Sequence, residues 1–146
     1  IVFERIFQYT HRKRPMECEI VVLSMRGLSL ARGLELCAAL NKPIIALGDN
    51  DGVDPAELRG AVDRWLKKGE RELFIGEVDR GVTLEPQLIH HSGETLLREI
   101  LGIAPHADLL KWMTREKTEA ALRIAASAKK IVPPAYMLEA VKFAHG

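Results

Sequence analysis

Pro43-Ile44-Ile45-Ala46-Leu47-Gly48-Asp49-Asn50-Asp51-Gly52 is the stretch on which the reading of this chain turns. A short apolar run bounded by Pro and Gly reads as a buried strand. The strand stops at Gly48 and delivers Asp49 and Asp51 into the following loop. Directly after it, Asp54-Pro55-Ala56-Glu57 supplies an N-cap, a proline at the first helical position and an acid three residues past the cap. In open α/β sheets this junction, at the carboxyl end of a strand, is where ligands bind. Two apart on an extended backbone, Asp49 and Asp51 point the same way. Carboxylates converging there hold a hard divalent cation, or repel until one takes up a proton. In a turn, an Asp-x-Asp is also a common Asx-turn and helix cap.

Upstream, Asn41 ends a helix from about Leu30 to Leu40, in which Leu34 and Ala38 lie one turn apart. The Gly-punctuated loop Arg26-Gly27-Leu28-Ser29 precedes it. Glu19-Ile20-Val21-Val22-Leu23 is β-branched and apolar, and is predicted to be a buried strand. Residues 1 to about 12 form an amphipathic helix with Ile1, Val2, Phe3, Ile6 and Phe7 on its apolar side, and His11 to Pro15 is a basic connector. Downstream, a helix runs from Pro55 to about Lys68 with Leu58, Val62 and Trp65 along one face. Glu72-Leu73-Phe74-Ile75 is a third strand. After the turn at Asp79-Arg80-Gly81, Val82 to Pro86 is a fourth extended piece, ending in an acid. From there the chain is helical, over 93–101, 107–114, 117–129 and 134–144.

This alternation predicts an α/β fold: a parallel sheet flanked by helices, with a C-terminal helical extension. The expected division is an α/β core over 1–90 and a helical subdomain over 91–146 that packs on it and contributes a lysine.

At 146 residues the chain is one ordinary domain, with 21 basic and 20 acidic side chains. So even a balance says nothing about partners, and Arg12-Lys13-Arg14 and Lys67-Lys68 read as solvated helix ends. Cys18 and Cys37 lack CxxC spacing and are read as free, buried thiols, which suits a reducing cytoplasm. No stretch approaches the roughly 18 to 20 apolar residues that cross a membrane, and no signal-peptide pattern opens the chain. It begins inside a helical pattern with neither cap nor start methionine, which is the expectation for a piece of a longer protein.

Asp49-Asn50-Asp51-Gly52 begins like a calcium loop, but Gly52 and Gly60 stand at the fourth and twelfth positions, where that loop needs other residues. Glu85 ends an extended segment and is expected at the same sheet edge as the aspartates; otherwise it caps the helix beginning at Pro86. Three carboxylates there suit Mg²⁺ or Mn²⁺. Lys117 opens a helix and either neutralises charge on a reacting phosphate or is a solvated surface residue. His90, His91 and His106 match no zinc pattern and are assigned to the surface or helix termini. Trp65, Trp112 and Tyr136 lie among aliphatics at helical spacing and are assigned to the core.

Taken together, the strand with Asp49-Asn50-Asp51-Gly52, the segment Thr83-Leu84-Glu85-Pro86, Lys117-Thr118-Glu119-Ala120-Ala121 and Ile131-Val132-Pro133-Pro134-Ala135-Tyr136-Met137 resemble the catalytic Toprim region of the OLD (overcoming lysogenization defect) nucleases, class 2. The resemblance covers essentially the whole chain in motif order. It implies a two-metal, Mg²⁺- or Mn²⁺-dependent DNA endonuclease or nickase of phage defence. Asp49, Asp51 and Glu85 would match metal ligands, Thr83 a supporting polar position, and Lys117 the lysine near the scissile phosphate. It further implies DNA as substrate, an N-terminal ABC-type ATPase domain that dimerises, a UvrD-like helicase as partner, and no membrane. Toprim domains open with a strand ending in Glu-Gly, and no such strand precedes the first helix here. Glu4 lies within the helical pattern and does not match it.

Two other readings stand beside this one. Haloacid-dehalogenase-like phosphatases also carry strand-Asp-x-Asp-Gly, with the first Asp as nucleophile, but on their first strand. A non-catalytic binding domain with a structural or regulatory acidic loop is the third.

Overall fold

Ile44–Gly48 forms a strand, β1, and Arg71–Ile75 forms β2, paired in parallel with Ile44 opposite Arg71 and Gly48 opposite Ile75. The register brings both strands to an end side by side, so the loops that follow leave by one edge. The computed structural model describes residues 1–25 and 29–146. Arg26, Gly27 and Leu28 of the predicted Gly-punctuated loop lie outside the described residues. Among the latter are eight α-helices and this two-stranded sheet, a mixed α/β architecture.

The helices are α1 (Val2–His11), α2 (Leu30–Ala39), α3 (Pro55–Val62), α4 (Leu84–Ser92), α5 (Glu94–Leu101), α6 (Leu109–Arg115), α7 (Lys117–Ala126) and α8 (Ala135–His145). Strand periodicity sorts the sheet's side chains between two cores. Ala46, Leu73 and Ile75 join Leu34 of α2 and Val62 of α3 on one face. Leu47 and Phe74 turn to the other, where α8 crosses both strands and Phe143 meets Phe74 at 5.9 Å between ring centres. The second core is larger. It unites Val2, Ile6 and Phe7 of α1 with Leu97, Leu101, Met113, Ile124, Met137 and Val141.

Caps follow the sequence signals. Ser29 accepts from the Arg32 N–H to start α2, Asp54 from Ala56 N–H to start α3, and Asp108 from Lys111 N–H to start α6. The helix predicted to Lys68 stops at Val62 and continues only as a 3-10 turn, Asp63–Trp65. There Arg71 Nε donates to the Trp65 carbonyl at 2.8 Å, and Lys67 and Arg71 exchange backbone hydrogen bonds, which folds the chain into β2.

Two of the four predicted strands are not strands. Glu19 adopts φ 59°, closing a 3-10 turn over Pro15–Cys18, and Ile20 N–H bonds back to the Pro15 carbonyl. The residues beyond it pair with no strand, and Val21 and Leu23 are 78 % and 75 % exposed. Strand propensity reports how well a residue fits a half-buried pleated surface, and among the described residues no strand lies beside this segment to provide one. Val82 to Pro86 is the start of α4 instead, with Thr83 at its N-cap. Pro86 falls in the first turn, where its missing N–H costs nothing. No helix among the described residues is long and apolar enough to cross a membrane.

Candidate functional site

The edge where β1 and β2 end is tied together by Asn50, which is 1 % exposed. Its Nδ2 donates to the carbonyls of Gly76 and Gly81, both at 2.9 Å, and its Oδ1 accepts from Gly52 N–H at 2.8 Å. Gln87 of α4 reaches the same Gly81 carbonyl at 2.9 Å, and Asp51 N–H bonds the Val82 carbonyl at 3.0 Å. A Cβ on Gly76 would stand 2.0 Å from Gln87 Nε2, so any other residue there would displace the Gln87 amide. These bonds carry the chain from β2 to α4 across the loop after β1.

Asp49 and Asp51 flank this latch and are both exposed. Asp51 adopts φ 49°, so the loop turns at that residue rather than continuing extended. Asp49 keeps solvent on its outer side, yet burial on the inner side raises its pKa, reinforced by the charges of Glu85 and then Asp51. Lys117 and the Leu84 backbone N–H, at the start of α4, oppose that rise.

Glu85 reaches the cluster from the first turn of α4 and is 8 % exposed. Its Oε1 lies 3.5 Å from Nζ of Lys117, the first residue of α7. Its Oε2 is buried with no hydrogen-bond partner among the described residues. Thr83 is half-buried, and its hydroxyl makes no bond into the helix it caps. Asp49, Asp51, Glu85 and Lys117 are therefore electrostatic neighbours, with Thr83 two residues before Glu85. Among the described residues no group of three or more His, Cys, Asp or Glu side chains is arranged so that it could hold a metal ion.

Two members were not singled out from sequence. Asn50 sits between the aspartates, and its inward direction becomes legible only once the strand ends are known. Tyr136, in the first turn of α8, is 8 % exposed and belongs to the core, as its spacing suggests. Its phenol pKa is nonetheless raised, by burial first and then by the charges of Asp49 and Glu85.

The histidines stand apart from it. Arg80 Nη1 can only donate, so in its 3.0 Å contact His90 Nε2 is the acceptor. The His90 and His91 rings meet edge to face at 5.0 Å rather than diverging, and burial, His90 and Arg80 lower the pKa of His91. His106 is exposed in a turn. Cys18 and Cys37 are free and half-buried.

Comparison with protein-family models, with curated proteins and with solved structures gave no match.

Proposed function

We propose that the chain is the Toprim-like catalytic region of an OLD-type nuclease, hydrolysing DNA phosphodiesters with Mg²⁺ or Mn²⁺. The observation that carries the reading is the buried Glu85 Oε2. A carboxylate oxygen without a donor is costly, and a hard cation satisfies it. The donor set fits such an ion, since Asp49, Asp51 and Glu85 offer only carboxylate oxygens. In this reading Asp49, Asp51 and Glu85 hold the metal, with a second metal in the complete domain.

A bound Mg²⁺ or Mn²⁺ supplies Lewis acidity and a more acidic water. The chain's own residues do the rest. The Asn50 latch ties the aspartate loop to Gly76 and Gly81, in the segment that leads into α4 and Glu85. Lys117, exposed 3.5 Å from Glu85, would offer its ammonium to a phosphate oxygen at this edge. Thr83 provides an uncommitted hydroxyl at the same edge. DNA is the proposed substrate, with the ABC-type ATPase domain and the UvrD-like helicase as proposed partners.

A structural reading has one observation in its favour: the Leu84 backbone N–H, at the start of α4, lowers the pKa of Asp49, as a helix N-terminus does for a neighbouring carboxylate. Plasmid cleavage in Mg²⁺ and in Mn²⁺ separates the readings, using the chain joined to the strand that the resemblance places before it. Metal-dependent nicking or linearisation that disappears in Asp51→Ala supports the nuclease. A folded protein that binds Mn²⁺ and leaves plasmid intact contradicts it.

A further inference from the structure

We propose that Arg5, Arg14 and Lys130 form a phosphate-binding face for the DNA backbone, gathered around Tyr9 at the end of α7 remote from Lys117. The face lies outside the acidic cluster, and it rests on the nuclease reading for the choice of DNA. By itself Arg12-Lys13-Arg14 reads as a solvated helix end. The fold adds cations from distant parts of the chain to the same place.

Arg5 of α1 and Lys130 of the loop after α7 both lie over the Tyr9 ring, 6.0 Å and 5.5 Å from its centre. The ring is tied down by its hydroxyl, which donates to the Ile131 carbonyl at 3.2 Å. Arg14 joins Arg5 and Gln8 in lining an open cleft of about 290 Å³. Arg5 is itself fixed: Nη2 donates to the Ser127 carbonyl at 2.8 Å and Nη1 to Gln8 Oε1 at 3.3 Å. A guanidinium has further N–H donors to spare, in a planar fork that suits a phosphate.

None of Arg5, Arg12, Lys13, Arg14 and Lys130 forms an ion pair among the described residues. The acids around them are engaged elsewhere: Glu4 by the Ile1 amino group at 3.1 Å, Glu17 by the Arg14 backbone N–H at 2.6 Å, and Glu99 by Lys129. Uncompensated cations on one face raise a positive potential, which a polyanion relieves with release of its counterions. Ser127, bonded by Arg5, caps the end of α7, and Lys117 begins that helix. Its ten residues span about 15 Å, a length that duplex DNA covers in about four steps of 3.4 Å. A lipid surface fits less well. The apolar side of α1, with Val2, Ile6 and Phe7, is buried, so this helix has no face to lay into a bilayer.

The test is fluorescence anisotropy of a labelled duplex oligonucleotide in EDTA, titrated at several salt concentrations with this chain and with Arg14→Gln, Lys130→Gln and Lys42→Gln. Circular dichroism checks that each is folded. EDTA removes metal binding and cleavage from the readout, so the face and the acidic cluster can fail separately. Arg14, Lys130 and Lys42 are all exposed, and Lys42, in the turn before β1, controls for net charge. The expected result is binding by wild type and weaker binding by Arg14→Gln and Lys130→Gln. In both, the slope of log affinity against log salt is flatter by about 0.9 for the lost contact, while Lys42→Gln matches wild type. No binding by folded wild type at low salt overturns the face. Equal weakening in all three variants also overturns it, since only net charge is then felt. Unchanged DNA binding in Arg14→Gln and Lys130→Gln, with lost binding to phosphatidylserine vesicles, reassigns the face to a membrane and overturns the proposal. The expected pattern in a protein that leaves plasmid intact upholds the face and counts against the nuclease reading alone.

Discussion

Asp49 bears the electrostatic strain of the cluster, and its sign can be worked out. Its carboxyl pKa is raised in the folded protein by burial, Glu85 and Asp51. Folding therefore favours the protonated form, and stability from this group falls as pH rises from the unfolded toward the folded pKa. Asp49→Asn removes that penalty. Without metal, the variant is expected to melt above wild type at pH 7, with the difference shrinking as the pH drops through the carboxylate range. Thermal melts across that range check it, and a lower melting temperature at pH 7 would assign Asp49 to capping α4. Asn50 behaves oppositely. Asn50→Ala loses three hydrogen bonds and strands the Gly76 carbonyl, Gly81 keeping its bond from Gln87, which should cost about 3 kcal/mol. Asn50→Asp should cost more, because a carboxylate cannot donate to either carbonyl. Urea denaturation measures both. The aspartates were readable from their place after an apolar run, but Asn50 was not, because its partners are backbone atoms 26 and 31 residues away.

At the scale of elements, the apolar run of β1, the cap of α3 and the C-terminal helices were legible because each is written locally. Glu19 to Leu23 shows where local signals stop. Its residues favour a strand, yet a strand exists only with a neighbour, and the left-handed Glu19 turns the chain out of line. The double substitution Val21→Ser and Leu23→Ser is accordingly expected to change stability by no more than about 0.5 kcal/mol. A loss of roughly 2 kcal/mol or more, as for a core strand, would show that the segment is packed in solution. Val82 to Pro86 misleads for a different reason: a proline after an acid serves a strand end and a first helical turn equally well. The helix brings Glu85 to the aspartates all the same, from the turn of α4 rather than from a strand.

At the scale of the whole molecule, the sheet is thin and the helical core is thick. The site edge depends on α8, which packs on both strands while its other contacts are with α1. Phe7, fully buried, sits at the centre of the α1 contribution. Phe7→Ala should destabilise the protein by about 3 to 5 kcal/mol, and a single cooperative transition would show that the sheet unfolds with the helices. The shared core of α1 with the last two helices could not be read in advance, since amphipathic periodicity shows that a face is buried but not against what. The proposal turns on the edge itself, where Asp49, Asp51 and the Glu85 oxygen that has no partner among the described residues are proposed to bind a divalent cation. Calorimetric titration of Mn²⁺ into wild type and into Glu85→Gln tests it most directly. Saturable binding in wild type that is lost in Glu85→Gln, with both proteins folded, is the predicted result. No saturable heat in wild type, or equal binding by both proteins, would contradict it.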